Sequence, residues 1–173
     1  MKNFDRVPAE LNGGAQQGMA LLVSLVFLLL LTLIGISSMQ NATLQEKMSG
    51  SVKLRNESFQ FAESALRTAE TLVQVSTYAK AVCVPPLCVP PSDSSTVVAA
   101  GASSVSGVTW VATGNGFYSI QSVGTTVGTP ANIYTGGLDV NTRWTFFRLT
   151  GVGIQGNSRT VLESIYVKKR SGA

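Results

Sequence analysis

The chain has 173 residues, 45% hydrophobic and only 13% charged, with thirteen Lys and Arg against nine Asp and Glu, which describes one modest domain joined to something unusually apolar. Histidine is absent, which excludes Ser-His-Asp and Cys-His nucleophiles and leaves zinc or iron without imidazole ligands, so no catalytic activity, cofactor or metal is expected. The net charge of +4 is mild, and six of the thirteen basic residues follow Asn141; composition makes no case for a nucleic-acid partner.

No charged residue occurs between Glu10 and Glu46, and a gap of that length points to lipid. Its centre, Met19 to Ile36 (MALLVSLVFLLLLTLIGI), is eighteen residues interrupted only by Ser24, Thr32 and Gly35. As a helix at about 1.5 Å per residue it measures about 27 Å, barely the roughly 30 Å of a bilayer's hydrocarbon. A secretory signal peptide has a shorter apolar core ending at a small-residue cleavage site, so a retained membrane anchor is expected instead. Lys2 and Arg6 precede the span and Lys47, Lys53 and Arg55 follow it, so flanking charge does not decide its orientation.

Beyond the anchor, Leu44, Met48, Val52, Phe59, Ala62, Leu66, Ala69 and Val73 recur at mostly three- and four-residue steps and predict one amphipathic helical face. Glu63 with Arg67, and Lys53 with Glu57, sit four apart on the solvated side. No proline occurs from Leu11 to Val84, so a single helix from the membrane to about Thr77 is allowed, with Gly35 and Gly50 as places where it can loosen.

The stretch Cys83 to Ser95 (CVPPLCVPPSDSS) ends any helix, with four prolines in thirteen residues. After it, VTWVAT, GNGFYSIQSV, RWTFFRLT and SRTVLESIYVKK read as strands. Asn115-Gly116 is the expected hairpin turn between the first two. In the third, Trp144, Phe146 and Arg148 alternate with Thr145, Phe147 and Leu149; in the fourth, Val161, Glu163, Ile165 and Val167 oppose Leu162 and Tyr166, which reads as a central strand with a helix on one face, the Phe59 to Val73 stripe being its natural partner.

Cys83 and Cys88 are separated by four residues, too wide for a thioredoxin-type motif and too few for structural zinc. A small disulfide loop is their expected use in an oxidising compartment, free thiols being the alternative. The glycines of GNG (114–116) and GVGIQG (151–156) lack the Lys and Ser/Thr, or the following helix, of a phosphate loop and read as turns. Asp139 and Asn141 fall far short of a calcium shell and read as a turn closure. The aromatic and basic strand at 143–148 resembles a base-stacking platform, but a sheet core needs those aromatics. Lys168, Lys169 and Arg170 read as a solubilising end or a partner contact.

The membrane entrance carries the most specific signal. A polar leader ending in Gly18, followed by QQGMALLVSLVFLLLLTLIGISSMQNATLQEKM from Gln16 to Met48 and FQFAESALRTAE at 59–70, resembles the class III leader and anchor of type IV pilins and type II secretion pseudopilins, and among them the PilX-like minor pilins. The resemblance implies cleavage by a prepilin peptidase after Gly18, N-methylation of Met19 and a mature chain of Met19 to Ala173. The sequence departs from the family pattern twice. The leader balances Lys2 and Arg6 with Asp5 and Glu10, where such leaders are more plainly basic. The fifth mature position, usually glutamate, is Val23. A buried carboxylate is costly unless a cation meets it, and in pilins that cation is taken to be a neighbouring subunit's amino terminus. Val23 incurs no such cost and makes no such contact, as in the secretion pseudopilin that resembles a tip subunit.

The expected fold is α+β, a long N-terminal helix packed on an antiparallel sheet of about four strands. Its parts are a leader (1–18), a membrane and assembly helix (19–36), an amphipathic continuation (37–77), a loop region (78–107) and a sheet region (108–173). The resemblance implies a minor pilin in a priming complex at or near the pilus tip, held in the bacterial inner membrane with a periplasmic head before assembly and in the surface fibre afterwards. Its implied partners are other minor pilins, the major pilin, the prepilin peptidase, the inner-membrane assembly machinery and a large tip adhesin. A type II secretion pseudopilin and a membrane-tethered binding or sensor domain are the alternatives.

Overall fold

A computed structural model describes residues 16–128, 130 and 141–170, with side chains from Gly18 onward. The chain divides into two compact units, Met1–Ser49 and Gly50–Ala173. Helix α1, Gln16–Gln74, supplies the described residues of the first unit and the opening element of the second. The leader charges Lys2, Asp5, Arg6 and Glu10 lie outside the described residues, as does Asp139.

In the second unit five antiparallel strands follow in meander order: β1 (Gly101–Ala102), β2 (Thr109–Thr113), β3 (Gly116–Val127), β4 (Arg143–Gln155) and β5 (Ser158–Lys169). The fold is α+β, with one strand more than expected. The addition, β1, is two residues long inside the small-residue stretch that reads as loop, and pairing with Thr109 and Trp110 rather than any pattern of its own makes it a strand. β5 is an edge strand, not a central one. Side-chain alternation reports which faces of a strand are covered, not how many neighbours it has, so the two cases look alike in sequence.

Two hairpins close on two-residue turns. Thr113 pairs with Gly116, so the first turn is Gly114-Asn115, one residue earlier than the expected Asn115-Gly116. Gly114 takes a φ of +52°, which glycine adopts without a Cβ penalty. In GVGIQG only the last glycine turns the chain, at Gly156-Asn157; Gly151 and Gly153 belong to β4.

Those two glycines seat the helix. A Cβ on Gly151 would lie 2.5 Å from the Ala62 carbonyl oxygen, and one on Gly153 would lie 2.0 Å from the Ser58 carbonyl oxygen. Backbone meets backbone there, and the facing helix positions are correspondingly small: Ser58, Ala62, Ala65 and Ala69 are fully buried. The register corrects the expected stripe. Ser58, not Phe59, faces the sheet, its hydroxyl sharing hydrogen bonds with Ser158 (3.1 Å) and Thr160 (2.8 Å). Phe59, one step round the helix, stays 48% exposed. Leu66, which lies over Gly151, and Val73 pack with Tyr118, Ile120, Phe147 and Leu149. Leu162 and Tyr166 of β5 complete this core.

α1 stops three residues before the expected end, and Lys168 holds the chain that leaves it. The ammonium donates to the carbonyls of Val75 (2.6 Å) and Tyr78 (3.1 Å), just past the last helical residue, which places a cation at the negative end of the helix. The sheet's other face carries a second core of Val97, Val108, Trp110 and Val152, with Phe117 and Ile154 against it.

Replacing Gly153 with alanine should cost the full chain about 3 kcal/mol or more, because the obstructing atoms are backbone rather than a side-chain tip. Gly124, also in a strand but with open space at its Cβ position, is the matched control, and Gly124→Ala should stay within about 0.5 kcal/mol. Thermal unfolding in detergent measures both, and equal losses would contradict the close seat.

Candidate functional site

In the first unit every described side chain from Gly18 to Ser49 is exposed. The polar side chains inside the apolar stretch turn back on their own helix: Ser24 Oγ donates to the Leu21 carbonyl and Thr32 Oγ1 to that of Leu29, both at 2.8 Å. They therefore offer no orphan hydroxyl to an apolar environment. The helix is long and apolar enough to cross a membrane, its most apolar eighteen-residue stretch having a mean hydropathy of 2.9.

Gly18 and Met19 lie in the first turns of the described helix. Val23 is 48% exposed, in the middle of a shallow apolar face lined by Met19, Ala20, Phe27, Leu28 and Leu31. Among the described residues no carboxylate lines that face, and Val23 continues its hydrocarbon surface.

In the second unit Cys83 and Cys88 form a disulfide with an S–S distance of 2.02 Å and Cα atoms 5.3 Å apart, as expected. The loop they close lies on the sheet face away from α1, and three side chains of that face hold the loop and the segment after it. Gln121 Nε2 donates to the Leu87 carbonyl (2.9 Å), Arg148 Nη1 to that of Cys88 (2.7 Å), and Arg159 Nη1 to that of Val97 (2.9 Å). Prolines remove donors from this segment and leave carbonyls to be satisfied, and long side chains on neighbouring strands reach them. Cys83 N–H adds a bond to the Ser122 carbonyl at 2.8 Å.

After the loop, a single 3₁₀ turn at Ser92–Ser95 presents Asp93, whose Oδ2 accepts from the Trp110 indole at 2.9 Å. Burial works to raise the Asp93 pKa, but donors on Ser103, Ser106 and Trp110 outweigh it and hold the carboxyl below its ordinary value. This anchor was not legible as such: Asp93 reads as one polar residue in a loop, and its partner is seventeen residues on.

The remaining candidates resolve structurally. In the strand at 143–148, Trp144 and Phe147 are buried, on opposite faces, so they serve as core rather than as a stacking platform. Among the described residues no group of three or more acidic or cysteine side chains is placed to hold a metal ion. Glu63 and Arg67 form the expected ion pair on the solvated side of α1, and Lys53 and Glu57 a looser one at 3.9 Å.

Residues 17–67 match the family model described as PilX N-terminal. Over those residues the chain is similar to the N-terminal region of the PilX-like minor pilins of type IV pili. No curated protein and no solved structure matches the chain. The PilX match takes in Gly18, Met19 and the whole apolar face around Val23, and continues into the helix stretch that includes Ser58, Ala62 and Ala65. The sheet and the disulfide loop lie beyond it.

The Asp93 contact carries a pH dependence with a definite sign. A carboxyl whose native pKa is lowered adds stability that is complete above its unfolded value of about 3.9 and is lost as the pH falls through the lowered native value. The stability gap between the native chain and Asp93→Asn should therefore close in acid. A gap unchanged from neutral pH to about pH 2 in thermal unfolding would rule the carboxylate contact out.

Proposed function

We propose that this chain is a structural subunit, without a catalytic role, that joins a priming complex at or near the tip of a type IV pilus. The observation that carries this reading is Val23. Within a PilX N-terminal segment, the face that would bear the intersubunit carboxylate is lined among the described residues by apolar side chains and Ser24, whose hydroxyl is turned back on its own helix, and by no carboxylate. A subunit inside the shaft has a neighbour's charged amine to neutralise; a subunit at the end of the fibre has no such obligation on one side, and valine there avoids an unpaired buried charge.

The mechanism is exchange of one hydrophobic surface between two environments. Before assembly, the apolar part of α1 holds the subunit in the inner membrane with the sheet domain in the periplasm. The prepilin peptidase cleaves after Gly18, and Met19 becomes an N-methylated terminus. On assembly the ridges of Leu, Val and Phe leave lipid for the helices of other minor pilins and the major pilin, with Gly35 permitting close approach. The inner-membrane machinery drives that transfer, and a large tip adhesin is the partner at the distal end. Oxidation of Cys83 and Cys88 suits a periplasmic head.

Mass analysis of the N-terminal peptide, from membranes of cells with and without the prepilin peptidase, tests the pilin chemistry. A methylated Met19 start that disappears without the peptidase is the expected result, and an intact Met1 start in both would reduce the helix to an ordinary anchor. Val23→Glu should lower the number of fibres per cell at unchanged protein level. Normal piliation in that variant would show the missing carboxylate to be neutral.

A further inference from the structure

α1 ends at Gln74, while β3, β4 and β5 run on to Val127, Arg143 and Lys169, so the helix-bearing face of the sheet continues past its cover. The residues of that uncovered end are polar. Thr125, Thr145 and Lys168 form one cross-strand row, next to the row holding Ser122 and Phe147. The chain leaving α1 through Ser76–Val82 walls the floor on one side, and the cleft so formed has a volume of about 470 Å³.

Three features of this cleft have no structural explanation. Four cations line it, Lys80, Lys168, Lys169 and Arg170, and no Asp or Glu does. Among the described residues none of the four is ion-paired. Lys168 is occupied with carbonyls just past the helix end and Lys169, paired with Trp144, alternates to the other side of β5, which leaves Lys80 and Arg170 gathered here with no anion among the described lining residues to repay it. Ser122 is 1% exposed, yet its hydroxyl has no hydrogen-bond partner among the described residues, a cost of about 1–3 kcal/mol for a buried polar atom. Desolvation also lowers the Lys80 pKa from its ordinary value, with no neighbouring anion to offset it.

We infer that this cleft is an oxyanion site, taking phosphate or a small phosphate monoester through Lys80, Arg170 and the hydroxyls of Ser122, Thr125 and Thr145. Two cations and several hydroxyl donors around one cleft suit an ion with two charges and more than two acceptor oxygens better than a carboxylate. Lys168 neutralises the helix end that would otherwise repel such an ion. The volume exceeds that of a bare phosphate, and Phe147 and Tyr78 offer apolar surface to an organic remainder.

Calorimetric titration of the full chain in nonionic detergent, at fixed ionic strength, tests this with inorganic phosphate and ribose 5-phosphate as probes. Saturable one-to-one binding is expected for at least one probe. Tighter binding of the ester would assign the cleft to phosphate monoesters, and equal binding would assign it to the oxyanion alone. The variant K80Q/R170Q, which leaves Lys168 in place, should bind at least about tenfold more weakly. Ser122→Ala keeps every charge and removes only an unpartnered hydroxyl, so it should fold normally and still bind about threefold more weakly. Absence of saturable heat with both probes would overturn the inference, as would unaltered affinity in the double variant.

Discussion

Backbone contact between α1 and β4 sets the arrangement of the second unit: a methyl group at Gly153 would sit 2.0 Å from the Ser58 carbonyl oxygen, and one at Gly151 would sit 2.5 Å from that of Ala62. Contact this close fixes the helix in rotation as well as in distance, because only Ser58, Ala62, Ala65 and Ala69 are small enough to face the sheet there. Everything else on the helix follows from that rotation. Glu63 and Arg67 pair on the solvated side, Phe59 points away, Leu66 lies over Gly151, and Val73 enters the core beyond the two glycines. Because one helix covers one face, the other face needs its own cover. Segment 83–108 supplies it through the disulfide loop, the Asp93 turn and Val97 and Val108, which pack with Trp110 of β2.

The two stretches of α1 obey different physical rules. From Ser58 onward its apolar side chains are satisfied within the chain, and the ledger of burial is the ordinary one for a helix on a sheet. From Gly18 to Ser49 nothing among the described residues covers it, and Leu, Val and Phe are left open all round. A helix apolar on every side is stable only in lipid or among other helices. That requirement, together with the PilX N-terminal match over the same residues, gives this surface its proposed two lives. Val23 matters to that proposal because the resemblance to pilins would put a carboxylate there, and the described face around it is lined by Met19, Ala20, Ser24, Phe27, Leu28 and Leu31.

Much of this was legible in the sequence because long periodic runs state their own geometry. The absence of proline from Leu11 to Val84 and the apolar spacing define α1, and alternation in 143–149 and 158–169 defines β4, β5 and their faces. What escaped was decided by partners distant in sequence. Phe59 is the larger apolar residue, but the place it would take faces Gly153, so a serine that satisfies Ser158 and Thr160 takes it. Gly151 and Gly153 resemble turn glycines until the helix lying on them is known. Lys168 resembles a solubilising tail until the end of α1 is found beside it, and Arg148 and Gln121 resemble surface polar residues until the carbonyl-rich loop is placed above them.

The number of copies per fibre tests the tip assignment most directly. Pili sheared or grown to different lengths would be purified, and this chain quantified by mass spectrometry against the major subunit and against fibre ends counted by electron microscopy. A tip subunit predicts a constant number of copies per fibre, so that its ratio to the major subunit falls as fibres lengthen. A constant ratio at every length would place the chain along the shaft and contradict the role assigned to Val23.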